Sequence, residues 1–254
     1  MVIKMVEIEI RKFKDMDLKD STIFEGFPGV GLVSAIASTY LIDHLKLDQI
    51  CALECEEFPP TSMIYDSKPK FPARIYASEE HKIGVFISEF SPPPALHRPL
   101  AKKLLEWGKE QQCKRIVSTE ALPIKDGTGE NIEIADRNVE VFGIGSTDRA
   151  RQELEKIEVK PLTTGIIYGV SGVLLNEGRW NDFDIITLLA EAYPKMPDAI
   201  AAAKIIEVVD KLTPQIKIEV EPLYEQSKKF EEHLKTLRGQ AKPPLPDNYK
   251  IMYS

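Results

Sequence analysis

At 254 residues, 43% hydrophobic and 29% charged, the chain has the composition of a globular protein with one sizeable core. Its net charge of −7, from 33 basic and 40 acidic residues, argues against a nucleic-acid binder, which needs a concentrated basic face. No run reaches the length of a membrane span and the opening MVIKMVEIEIRKF lacks an apolar signal core, so a cytoplasmic location is expected.

In chain order, Val6 to Phe13 alternates apolar and polar residues and reads as an edge strand. The stretch from Ile23 to Leu45 follows: a buried strand end (Ile23 to Gly26), a turn with Gly29 and Gly31, and a helix from Leu32 to Leu45. Ser34, Ala35, Ala37 and Ser38 keep the start of that helix slim, so that it can lie close on a sheet. A glycine turn at a helix N-terminus can cradle an anion. The spacing of Gly26, Gly29 and Gly31 is G-x-x-G-x-G, however, which is neither the dinucleotide order nor a P-loop, and a packing turn is the favoured reading.

Ile50 to Phe58 alternates again and stops at Pro59-Pro60, followed by short strands at Ile64-Tyr65 and Ala73 to Ala77 and a stronger one at Lys82 to Phe90. Three strands joined by short turns suggest a mixed part of the sheet. Ser91-Pro92-Pro93-Pro94 leads into a helix from Ala95 to Gln112, on which Leu96, Leu100, Leu104, Leu105 and Trp107 form one apolar face. Arg115 to Leu122 is a buried strand, Pro123 to Asn131 a loop, and Asn138 to Ile144 another strand. Ser146 is expected to cap a helix to Ile157 with Asp148 in its first turn.

Pro161 to Tyr168 reads as a strand, and Gly169-Val170-Ser171-Gly172 opens a second helix after a glycine turn. Asp184 to Ala192 is the last core strand. Alternating strands and helices predict a three-layer α/β/α sandwich with a largely parallel sheet over residues 1–195. Residues 196–239 should add C-terminal helices: one from Asp198 to Leu212, then an extended Ile216 to Val220, then one from Pro222 to Leu237. On the latter, Leu223, Ser227, Phe230, Leu234 and Leu237 make a narrow seam for docking on the body or on another subunit. Residues 240–254 form a stiff Lys242 to Pro246 linker and a tail.

For chemistry, the three cysteines Cys51, Cys55 and Cys113 read as reduced thiols, with Cys51 and Cys55 on one strand face. The four histidines are scattered, and no metal site or cofactor fingerprint is expected. If the chain were an enzyme, Glu89, Glu120, Asp126, Ser171 and the two glycine turns would be its candidates, because open α/β sheets bind ligands beyond the carboxyl ends of their strands. No nucleophile–base pairing emerges among them, and Glu89 and Glu120 are expected to meet helix N-termini or partner side chains instead.

Four motifs, EGFPGVGLVSAIASTYLI, SEF-SPPP at Ser88 to Pro94, STEAL at Ser118 to Leu122 and TTGIIYGVSGVLLNEG at Thr163 to Gly178, give a specific resemblance over most of residues 1 to 210. The chain resembles the proteasome-assembly-chaperone-two family, in particular its archaeal members. The resemblance implies a fold similar to that of purine nucleoside phosphorylases. It further implies a non-catalytic, commonly oligomeric partner of 20S proteasome α-subunits. Met252-Tyr253-Ser254 matches the hydrophobic-tyrosine-any-residue (HbYX) terminus by which activators and related chaperones dock between α-subunits. In such a pocket Met252 would fill an apolar wall, Tyr253 would bring a ring and a hydroxyl, and the Ser254 carboxylate would seek a lysine. A homo-oligomer would present several tails at once. Tyr249, Ile251, Met252 and Tyr253 equally suit packing on the protein's own body or oligomer, and residues 248–254 are expected to be pinned there rather than free. The rival class is a ligand-binding protein or enzyme acting on a nucleoside-like small molecule.

Overall fold

A computed structural model describes residues 6–65, 67–124, 137–194 and 196–225. Its frame is a nine-stranded sheet, numbered β1 (Glu9–Lys12), β2 (Thr22–Gly26), β3 (Asp48–Glu54), β6 (Ala73–Ser78), β7 (Ile83–Ser88), β8 (Arg115–Pro123), β9 (Val141–Gly145), β10 (Lys160–Pro161) and β11 (Ile185–Ala192). The remaining two, β4 (Met63–Tyr65) and β5 (Lys68–Lys70), form a separate hairpin. Spatial order in the sheet is β1-β3-β6-β7-β2-β8-β11-β9-β10.

The four central strands, β7, β2, β8 and β11, run parallel. On one flank β1, β3 and β6 are antiparallel to their neighbours, and on the other β9 runs against β11. The expected largely parallel sheet is thus corrected to a mixed one: the short turn between Ser78 and Ile83 permits only antiparallel pairing of β6 with β7, and β1, β3 and β9 also run against their neighbours.

Side chains alternate between two cores. Phe24, Val85, Val117 and Ile186 point to the layer of α1 (Val33–His44), α3 (Asp148–Lys156) and α5 (Ala199–Leu212). Ile23, Phe86, Ile116 and Ile185 point to the layer of α2 (Pro94–Glu110) and α4 (Gly169–Trp180). The period-two register of each central strand therefore buries both its faces, and the α/β/α sandwich is as expected. Leu96, Leu100, Leu104, Leu105 and Trp107 of α2 are all buried, which makes each Leu worth about 1.5–3 kcal/mol of burial.

Two local expectations are corrected. Thr147, not Ser146, caps α3 by accepting the Ala150 N–H, while Ser146 Oγ is taken by Phe183 O and the Ile185 N–H. The strand read at Pro161 to Tyr168 shrinks to Lys160–Pro161, since residues 163–166 are exposed and pair with nothing in the sheet. Residues 216–220 join no strand, but Leu223 in the helical turn at 221–225 is buried against the α5 layer and Tyr224 Oη donates to Glu207. The start of the last predicted helix docks on the body.

Candidate functional site

Period two places three polar residues behind the apolar ones on the α2/α4 side of the central strands. Glu25 stands two residues after Ile23, and Ser118 and Glu120 two and four after Ile116, with Glu25 and Ser118 directly paired in register. From the helical layer that covers this side, Ser171 enters in the first turn of α4. The side chains meet at the carboxyl ends of β2 and β8. Ser118 Oγ lies 2.7 Å from Glu25 Oε2 and 2.6 Å from Ser171 Oγ, and Ser171 Oγ lies 2.6 Å from Glu120 Oε1. The Phe27 N–H donates to Glu25 Oε1 at 3.2 Å.

The surrounding turn holds these groups in place. Gly26 has no room for a side chain, because a Cβ there would fall 2.1 Å from Ser38 Oγ, so α1 lies close against the end of β2. Gly31, at φ +62°, supplies the left-handed residue that turns the chain into α1. Ser34 Oγ donates to Thr119 O, and Ser91 Oγ donates to Pro28 O at 2.7 Å, fastening the proline-rich loop to the glycine turn. His97 in α2 donates through Nε2 to Pro92 O.

Burial dominates the electrostatics. Glu25 is 2% exposed, and burial, reinforced by the neighbouring Glu120 carboxylate, pushes its carboxyl up to about 8 against the hydrogen bonds from Ser118 and Phe27. Burial also raises Glu120, opposed by the Ser171 hydroxyl and by His97. Gly29 faces Glu120 Oε2, so this turn already meets a carboxylate and is a packing turn rather than an anion cradle.

Of the residues singled out from the sequence, Glu120 and Ser171 are brought together at a helix N-terminus, as expected. Glu89 sits apart in an ion pair with Arg74. Asp126 and Met252, Tyr253 and Ser254 lie outside the described residues, as do residues 248–251. Glu25 and Ser118 were missed. Their signal was a carboxylate and a hydroxyl at period-two positions inside otherwise apolar strands. All three cysteines are free and buried, with Cys51 and Cys55 in one core cluster, and burial pushes the Cys113 thiol up to about 12, which leaves it inert.

Other surfaces offer space too, one cleft of about 490 Å³ being lined by Glu7, Glu9, Glu54, Glu56 and Glu57 together with Arg11. A cleft of about 670 Å³ opens by Phe58, Pro59, Lys70 and Phe71, and one of about 630 Å³ lies between α1 and the β4–β5 hairpin. Ile64, Tyr65, Ile166, Tyr168 and Trp180 are exposed. Among the described residues no cluster of His, Cys, Asp and Glu could hold a metal ion, and no helix is long and apolar enough to cross a membrane.

A mixed sheet between two helical layers, with a polar cluster at its strand ends and without a metal cluster among the described residues, defines a class of α/β/α protein. Residues 23–238 match the model of the PAC2 family, and the chain belongs to that family. Its fold superposes on a crystal structure of PbaA from Pyrococcus furiosus, an archaeal homolog of proteasome-assembly chaperone, with TM-score 0.82 and 30% identity over 92% of both chains. PbaB of the same organism, an archaeal proteasome activator, shares the fold with TM-score 0.74 and 24% identity over 92% of this chain and all of that one. An uncharacterized protein of Methanocaldococcus jannaschii is 28% identical over 225 residues, covering 89% of this chain and 88% of its own.

Proposed function

We propose that this protein is a cytoplasmic, homo-oligomeric, non-catalytic partner of the 20S proteasome that docks on α-subunits through Met252, Tyr253 and Ser254. The observation that carries the reading is the likeness to PbaA, which runs through nearly the whole length of both chains. Docking of the tail either helps α-rings assemble or opens the gate of a finished particle without ATP. The body supports this arrangement: residues 221–225 are seated on the α5 layer through Leu223, so the chain beyond them starts from a fixed point on one face. Repetition of that point around an oligomer would raise the avidity of a weak tail.

A second reading, a ligand-binding protein or enzyme for a nucleoside-like molecule, is favoured by one observation, the raised carboxyls of Glu25 and Glu120 at strand ends. Against it, three of their four oxygens are already bonded to Phe27, Ser118 and Ser171. A synthetic peptide of residues 248–254 separates the two. It should displace the full chain from 20S particles while its Tyr253→Ala version does not; displacement by neither peptide would contradict the docking role of the tail.

A further inference from the structure

Glu25, Ser118, Ser171 and Glu120 form a line of four oxygens joined by three contacts of 2.6–2.7 Å. Each such contact between oxygens needs one proton, since two lone pairs facing each other at that distance repel. The two serine hydroxyls supply two protons. With both carboxyls ionised, one of the three links is therefore left empty however the hydroxyls turn. A third proton closes the line, and it can come only from a carboxyl.

We infer that Glu25 and Glu120 share a single proton through Ser118 and Ser171, and that this proton fastens the first turn of α4 to the ends of β2 and β8. In one arrangement the Glu25 carboxyl donates to Ser118, Ser118 to Ser171, and Ser171 to ionised Glu120. In the other every hydrogen bond reverses, and Glu120 carries the proton. Moving it from one end to the other breaks the O–H bond at Glu25, exchanges one O–H bond for another at each serine oxygen and forms one at Glu120, so three bonds break, three form and the net charge is unchanged. Glu25 is sealed, whereas Glu120 is partly exposed, so exchange with water runs through Glu120.

The groups packed around the line are consistent with one proton being held near neutrality. From β8 the neighbouring charge is Glu120, which opposes ionisation of Glu25. From α2 it is His97, which favours ionised Glu120. The first turns of α1 bring the neutral hydroxyls of Ser34 and Ser38, and α4 brings Ser171. Arg74 on β6 and Glu89 after β7 are spent on each other. Burial raises the carboxyl of Glu25 to about 8, so the folded protein binds this proton where the unfolded chain has released it. The sign follows: stability falls as pH rises from the ordinary glutamate range towards 8, and is flat beyond.

The test is a carbon NMR titration of the full chain labelled at its glutamate carboxyls, with Glu25→Gln and Ser171→Ala for assignment, alongside thermal melts from pH 5 to pH 9. Glu25 and Glu120 should titrate as a coupled pair with a step near pH 8, and Ser171→Ala should uncouple them. Gln at position 25 still donates to Ser118 but cannot ionise. Its melting temperature should therefore lose the downward slope that the natural chain shows over this range. Both carboxyls fully ionised at pH 6, or an unchanged slope in Glu25→Gln, would overturn the shared proton. If Glu25→Gln does not fold, the titration of the natural chain decides alone.

Discussion

Asp198 is the residue whose removal should cost the fold most for a single polar side chain. It is fully buried at the N-cap of α5, where Oδ1 accepts the Ala201 N–H at 3.0 Å and Oδ2 accepts the Tyr193 N–H at 3.0 Å. Oδ2 also takes Arg137 at 2.7 Å, and the Asp198 N–H donates to Gly31 O at 2.8 Å, so one residue links α5, the end of β11 and the glycine turn. Arg137 is itself only 13% exposed in its side chain, and its Nε and one terminal nitrogen have no hydrogen-bond partner among the described residues. Loss of a cap costs about 1 kcal/mol, and loss of one member of a buried ion pair about 3–5 kcal/mol. Because the same carboxylate does both, Asp198→Ala should cost about 3–5 kcal/mol in total rather than the sum. Asn caps as well as Asp but loses the charge, so Asp198→Asn should cost about 1.5–3 kcal/mol. Urea unfolding reads both as a lower midpoint at unchanged slope. A loss below about 1 kcal/mol for Asp198→Ala would refute the assignment of Asp198 as a buried tie.

Gly31→Ala meets both a left-handed φ and Tyr193 O at 3.0 Å, and should destabilise by about 1–2 kcal/mol in the same unfolding assay. Burial pushes Glu153 up, but its bonds to Arg115 and Lys114 outweigh this and hold it below its ordinary range. Its stabilisation is present above that range and lost as pH falls through the lowered value, so Glu153→Gln should flatten the acid side of the stability profile. Trp107 is 6% exposed and Trp180 is 88% exposed. In Trp107→Phe the remaining fluorescence should be strongly quenched by iodide; a shielded Trp180 would show that another copy or segment covers the end of α4.

How much of this was legible in the sequence depended on how local the signal was. The unit from β2 through the glycine turn to α1 announces itself, because Ile23-Phe24 feeds both cores and the small residues after Gly31 pack on the sheet. The apolar face of α2 was equally plain in its three- and four-residue spacing. Strand direction was not, since β9 reads the same whether it runs with or against β11. Pro161 to Tyr168 misled because β-branched and aromatic residues there lie exposed in a loop, with Ile166 and Tyr168 turned to solvent. At the α3 cap, Ser146 and Thr147 are equally good formers, and only the pull of Phe183 and Ile185 on Ser146 decides between them. Of the polar cluster, Glu120 and Ser171 were visible at strand and helix ends. Glu25 and Ser118 emerge only once the register of β2 on β8 is known. The tail is the reverse case, a signal confined to three residues that needs no fold to be read.

The central claim is that this protein meets the 20S proteasome through that tail. The direct measurement is binding to archaeal 20S particles, with peptide hydrolysis followed in parallel, for the full chain and for a chain lacking residues 252–254. Binding by the full chain and its loss on truncation is the predicted result, and a rise in hydrolysis would identify gate opening rather than assembly alone. Equal binding by both chains, or by neither, would contradict the account.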